Sequence, residues 1–179
     1  MRIDKVSYGD NWPEEVNVII EIPSHGDPVK YEVDKDTGAM FVDRFMTAAM
    51  HYPCNYGYIP KTLSSDGDPI DVLVLAPYPL LPGSVVKCRP ISVLNTTDQS
   101  GDDPKVLMVP ISSVCSEYDN YQTVEDVCPH LLGRISHFFE HYKDLEEGKW
   151  ARVSGWGSVS HAKDEITNGI SKYLKPEEE

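Results

Sequence analysis

Asp66-Gly67-Asp68-Pro69-Ile70-Asp71 places three carboxylates within six residues, directly before the apolar run Val72-Leu73-Val74-Leu75. Like charges this close repel, so such a cluster belongs either in a solvated turn or where cations bind. Gly67 and Pro69 bend and stiffen the loop, and Asp71 falls at the start of an expected strand. That arrangement fixes one end of an acidic cluster to rigid scaffold, as a metal site requires. The spacing is not that of an EF-hand, because Pro69 and Ile70 interrupt the ligand series and no Glu follows at the twelfth position. Taken alone, the loop reads equally well as an ordinary solvated turn.

A second acidic loop, Asp98-Gln99-Ser100-Gly101-Asp102-Asp103-Pro104, again stands directly before an apolar run, Lys105 to Ile111. Two acidic loops at the ends of neighbouring strands can face one another and share metals through bridging carboxylates. Lys30, Arg44, Lys105 and Lys143 are candidate phosphate ligands, Arg as a planar fork and Lys as a compact charge. Tyr56 and Tyr142 supply hydroxyl donors. Each has a blander reading: a lone Lys or Arg is usually a solvated surface charge, Tyr142 lies on an apolar helix stripe, and Glu21 and Glu32 sit on strands that can face water. His137 and His141 are four apart on one helix, but His-Phe-Phe-Glu-His lacks the His-Glu-x-x-His pattern of zinc proteases, so packing or interface is the better reading. Ser154-Gly155-Trp156-Gly157-Ser158 lacks the lysine and spacing of a P-loop.

These residues need a scaffold. The 179-residue chain suits one compact domain, 1–179, with a substantial core. Its net charge of −13 argues against a binder of nucleic acid. The four cysteines form no CxxC pair and read as reduced thiols. The N-terminus carries no apolar targeting segment, and no run approaches a membrane span, so a cytoplasmic location is expected. Strands are expected at 16–22, 29–33, 41–45, 70–76, 84–94 (kinked at Pro90) and 105–111, with 96–104 as a loop. Leu131, Leu132, Ile135, Phe138, Phe139, Tyr142 and Leu145 form one stripe of a helix beginning near Pro129 and ending at Gly148. A strand over 149–159 and a last helix over about 160–173, with Ser160 as N-cap, complete the chain before a frayed Pro-Glu-Glu-Glu tail. Many short strands with late helices predict an α+β protein: a closed, mainly β barrel flanked by two helices.

The chain resembles the family I soluble inorganic pyrophosphatases of the bacterial type. Asp66-Gly67-Asp68-Pro69-Ile70-Asp71-Val72-Leu73-Val74 matches the family signature. Val18-Ile19-Ile20-Glu21-Ile22-Pro23, Lys30-Tyr31-Glu32, Val42-Asp43-Arg44-Phe45, Tyr52-Pro53-Cys54-Asn55-Tyr56-Gly57-Tyr58, Pro82-Gly83-Ser84-Val85, Cys88-Arg89-Pro90 and His137-Phe138-Phe139-Glu140-His141-Tyr142-Lys143 follow collinearly over nearly the whole chain. The resemblance implies an OB-like five-stranded barrel with added strands and two helices. It implies Mg2+-dependent hydrolysis of pyrophosphate to two orthophosphates by a metal-activated water, a role in phosphate metabolism, and a cytoplasmic homohexamer. Several Mg2+ per site are implied, with Mn2+ or Zn2+ as substitutes. By the same resemblance Asp66, Asp71 and Asp103 are core metal ligands, Asp71 bridging two metals. Asp98 and Asp103 hold a metal that arrives with substrate, and Glu21 and Glu32 support a further one. Lys30, Arg44, Tyr56, Lys105, Tyr142 and Lys143 bind phosphate, and Asp68 is the general base. Gln99 departs from the pattern, since family members often carry Glu there. Two other readings remain open: an OB-type module that binds an anion without catalysis, which the net charge disfavours, and a metal-dependent phosphatase for nucleotides or phosphomonoesters.

Overall fold

The computed structural model describes residues 3–175. The tail expected to fray, 176–179, and the first two residues lie outside the described residues. Among the described residues are nine strands and two α-helices: β1 (Val16–Ile22), β2 (Val29–Val33), β3 (Met40–Phe45), β4 (Asn55–Tyr58), β5 (Asp71–Val74), β6 (Val85–Asp98), β7 (Gly101–Asp102), β8 (Lys105–Pro110), α1 (Pro129–His141), β9 (Ala151–Gly157) and α2 (Val159–Leu174). Hydrogen bonding runs β1-β4-β5-β8-β6, and β6 returns to pair with β1, so five strands close a ring. The mainly β protein with two helices expected from the sequence is the fold observed. Closure removes the unpaired edges that an open sheet would leave to solvent. Strands β2 and β3 form a separate two-stranded hairpin. Among the described residues, no helix is long and apolar enough to cross a membrane.

Alternation of side chains divides the interior. Val18, Ile20, Val72, Val74, Val106 and Met108 point to one side with Ile166 and Ile170 of α2. Ile22, Leu73, Leu107 and Val109 point to the other with Ile135, Phe138 and Phe139 of α1. The period of two along the strands therefore decides which helix each residue meets, except at Ile22, where a register shift against β4 after Ile20 turns the side chain to the α1 side. Burial of each such side chain contributes about 1.5–3 kcal/mol, so both helices are held by their apolar stripes.

Several boundaries differ from the sequence expectation. The sequence does not predict strand β4, because Gly57 and the preceding Pro53 weaken a strand signal. Gly57 is there for space: a Cβ at that position would lie 1.9 Å from the carbonyl oxygen of Ile19 on the neighbouring strand. Strand β6 runs on to Asp98 and turns back through β7, so the polar stretch 96–104 is a hairpin rather than a loop. Pairing with β9 along this segment stabilises what composition alone reads as loop. A register shift falls between Pro90 and Ser92, beside the proline that has no N–H to donate to the ladder. Helix α1 stops at His141 and a turn segment follows, which leaves Leu145 68% exposed instead of on the stripe. Helix α2 is capped by Ser158, whose hydroxyl accepts from the His161 N–H, not by Ser160.

Candidate active site

Strands β5 and β8 are parallel neighbours, with Asp71 opposite Lys105. Parallel pairing puts both strand starts, and therefore both acidic loops, at the same end of the ring. The Ser65 hydroxyl donates to the Asp102 carbonyl at 2.9 Å and ties the two loops together. Behind the first loop, α2 packs unusually close: a Cβ on Gly169 would lie 2.4 Å from Ile70 Cδ1, and Leu63 N–H donates to the Gly169 carbonyl at 3.0 Å. A rigid helix thus backs the loop on the side away from the cavity.

The cavity that the loops border has a volume of about 390 Å³. All thirteen residues singled out from the sequence line it: Asp68, the phosphate candidates Lys30, Arg44, Tyr56, Lys105, Tyr142 and Lys143, and the acids Glu21, Glu32, Asp66, Asp71, Asp98 and Asp103. They arrive from different elements. Glu21 comes from β1, Lys30 and Glu32 from β2, Arg44 from β3, Tyr56 from β4, and Tyr142 and Lys143 from the turn after α1. The alternation that put Lys30 and Glu32 on one face of β2 aims both at the cavity. The β2–β3 hairpin is tied to the ring by the Val33 N–H, which donates to Glu21 Oε1 at 2.8 Å.

Ion pairs order the floor. Lys105, only 3% exposed, sends Nζ to Asp71 at 2.7 Å and to Asp103 at 2.9 Å. Burial works against its charge, but the two carboxylates outweigh that and raise its pKa, so it stays an ammonium. Its Nζ also lies 5.6 Å from the centroid of the Phe139 ring. Lys143 donates to Asp98 at 2.7 Å. Burial of Asp98 is outweighed by this bond and by the Ser100 N–H, which hold its pKa below the ordinary value. Asp103 goes the other way: burial and the neighbouring Asp71 exceed the help from Lys105, and its pKa is pushed up to about 6. Burial likewise pushes Glu21 up to about 8, against the lowering effect of the Val33 N–H. Tyr56 is buried, which raises its phenol pKa well above the usual value and keeps it a hydrogen-bond donor.

Sequence reasoning missed Lys35, Tyr52, Tyr58 and Lys149, which also border the cavity. Lys35 and Lys149 sit in turns where a lysine carries no signal. Tyr52 and Tyr58 flank Tyr56 in a segment whose strand went unread. His137 and His141 stay outside the cavity with their rings 4.4 Å apart, and His141 pairs with Asp144 at 2.8 Å.

Among the described residues the acidic donors lining the cavity offer only oxygen, with no cysteine or histidine beside them, which suits hard divalent ions such as Mg2+. Among the described residues no three acidic, histidine or cysteine side chains converge closely enough to hold an ion as they stand. Two ammonium groups stand among the acids instead. Burial pushes Asp103 and Glu21 toward their neutral forms, a cost that a bound divalent cation would offset, so the residues present fit one.

The closed strand ring and its charge-dense rim define a β protein built to handle a small polyanion together with hard cations. The chain belongs to the inorganic pyrophosphatase family: the profile described as inorganic pyrophosphatase matches residues 18–174. It is 58% identical over 172 residues to an inorganic pyrophosphatase from Vibrio parahaemolyticus, covering 96% of this chain and 98% of that one. It is 55% identical over 173 residues to one from Xylella fastidiosa, covering 97% of each. The crystal structure of inorganic pyrophosphatase from Thermus thermophilus superposes with a TM-score of 0.92 at 42% identity, covering 98% of this chain and 100% of that one.

Proposed function

We propose that this protein hydrolyses inorganic pyrophosphate to two orthophosphates and requires Mg2+ to do so. The observation that carries this reading is the charge balance of the cavity. Among the described residues seven carboxyl groups and six cationic side chains line it; with Glu21 pushed up to about 8 and so neutral near pH 7, the two signs balance and the cavity has no excess of positive charge to receive a polyanion. A highly charged polyanion enters such a cavity only with accompanying cations. Family membership identifies the polyanion as pyrophosphate.

In this mechanism Asp66, Asp71 and Asp103 would hold the resident ions, Asp98 would join Asp103 for an ion that travels with substrate, and Glu21 and Glu32 would support another. The ions, when bound, supply positive charge against the phosphate oxygens and acidify a water near neutral pH. Asp68 stands exposed at the rim, where it accepts the proton of the attacking water. Lys30, Arg44 and Lys143 bind the departing phosphate. Tyr56 and Tyr142 donate hydroxyl hydrogen bonds that orient it. Lys105, held as an ammonium by Asp71 and Asp103, adds fixed charge that needs no reorganisation during the reaction. Displacement at phosphorus then depends mainly on positioning and charge stabilisation.

A phosphate-release assay with Mg2+ on pyrophosphate, ATP and a phosphomonoester separates the readings. Rapid release from pyrophosphate with little from the others is expected. Comparable release from the phosphomonoester would point to a general phosphatase, and none from any of them to a binding module. The single domain 1–179, the cytoplasmic location and the homohexamer belong to the same proposal, and light scattering tests the last.

Gln99 adds a prediction about cation affinity. Its Nε2 donates to Asp98 at 3.4 Å and its Oε1 accepts from the Trp150 N–H at 3.4 Å. Gln99→Glu keeps the acceptor, loses the donor and adds a charge beside Asp98. The Mg2+ concentration giving half-maximal activity is expected to fall, by roughly fivefold for one exposed charge at this range. Superimposable titration curves would show that residue 99 does not tune the cation.

A further inference from the structure

We propose that Lys35 is a positioning residue for Asp68, a clasp that holds the carboxylate oriented across the mouth of the cavity. This rests on the reading of Asp68 as the base. Lys35 Nζ donates to Asp68 Oδ1 at 2.7 Å. The two residues come from parts of the fold that share no strand pairing. Lys35 leaves the turn that joins β2 to β3, whereas Asp68 stands on the loop that enters β5. That hairpin carries the phosphate candidates Lys30 and Arg44, so the bridge spans from the side that holds phosphate to the side that holds the base.

Both ends of the clasp are anchored. The turn beneath Lys35 is fixed by Asp34, whose carboxylate accepts from the Thr37 N–H at 2.7 Å and whose carbonyl accepts from the Gly38 N–H at 2.7 Å. The loop beneath Asp68 is fixed by the Ser64 N–H, which donates to the Asp68 carbonyl at 2.7 Å, and by the Asp68 N–H, which donates to Asp66 Oδ1 at 3.0 Å. With both backbones held, the bridge decides where the Asp68 carboxylate points. One oxygen is committed to Lys35, and the other is left to meet the proton of a water.

The pair is open to solvent, at 49% and 69% side-chain exposure. Exposed pairs add little to stability. The consequence of losing Lys35 is therefore orientation of the base, not loss of the fold. A base swung out of line slows the chemical step while leaving ground-state binding intact.

The test measures kcat, KM for pyrophosphate, the Mg2+ concentration for half-maximal activity and the melting temperature in four variants: Lys35→Ala, Lys35→Arg, Asp68→Asn and the Lys35→Ala/Asp68→Asn double variant. Lys35→Ala is expected to lower kcat roughly tenfold, less than the hundredfold of a full ångström of misplacement. KM and the melting temperature should stay near native, any fall in the Mg2+ requirement should stay within the roughly fivefold expected of one charge, and Lys35→Arg should recover most of the turnover. Asp68→Asn should lose most of its turnover, and adding Lys35→Ala to it should cost nothing more. A fall in kcat that is the same in both backgrounds, a change confined to KM, or native turnover in Lys35→Ala overturns the clasp while Asp68 remains the base. Native turnover in Asp68→Asn overturns the base assignment and the clasp with it.

Discussion

Asp71→Asn is expected to lower turnover by about 10²–10³-fold, the scale of losing one preorganised electrostatic contact in an active site, and to raise the Mg2+ concentration needed for activity. In the structure Asp71 and Asp103 share the Lys105 ammonium, a cluster with one negative charge in excess. Asparagine removes that excess. Lys105 keeps Asp103 at 2.9 Å, so the buried ammonium is not orphaned and the fold should lose little. The cation, by contrast, loses the carboxylate proposed to bridge two ions. Stability and metal dependence therefore separate: the melting temperature stays close to native, and the Mg2+ titration moves. Native Mg2+ dependence in Asp71→Asn would show that the carboxylate does not bridge.

Lys105→Leu should behave in the opposite way. Leucine fills much of the same volume but leaves Asp71 and Asp103 facing each other without a counter-ion. Their side chains are 24% and 23% exposed, so water screens them only in part. Removing one partner from a buried ionic cluster costs about 3–5 kcal/mol, which for a chain of this size lowers the melting temperature by roughly 10 °C. The loss should be largest in chelator, and Mg2+ should restore part of it, because a divalent cation replaces the missing charge. Melting curves recorded in chelator and in Mg2+ check this; an unchanged melting temperature in chelator would show that Lys105 does not neutralise the floor of the site.

The parts of the site legible in the sequence were those whose chemistry contradicts their setting. Three carboxylates running into a buried strand, twice over, are costly unless something offsets the charge, and Asp66, Asp71, Asp98 and Asp103 were visible for that reason. Residues that look ordinary where they stand were not. Lys35 is a lysine in a polar turn, and only the three-dimensional path of the hairpin brings it to Asp68. Strand β4 was hidden because Gly57, which weakens a strand locally, is required by the close approach of Ile19. The end of β6 was hidden because its polar residues are stabilised by partners more than fifty residues away on β9. The sequence predicts helix α1 about one and a half turns too long, because Leu145 keeps the helical period after the helix has ended. For β4 and the end of β6 a tertiary contact overrode a local signal.

The account stands or falls on the release of orthophosphate from pyrophosphate as Mg2+ is titrated upward from chelator. It predicts release at background without divalent cation and a saturable rise as Mg2+ is added. Release at full rate in chelator, or none at any Mg2+ concentration, would contradict it.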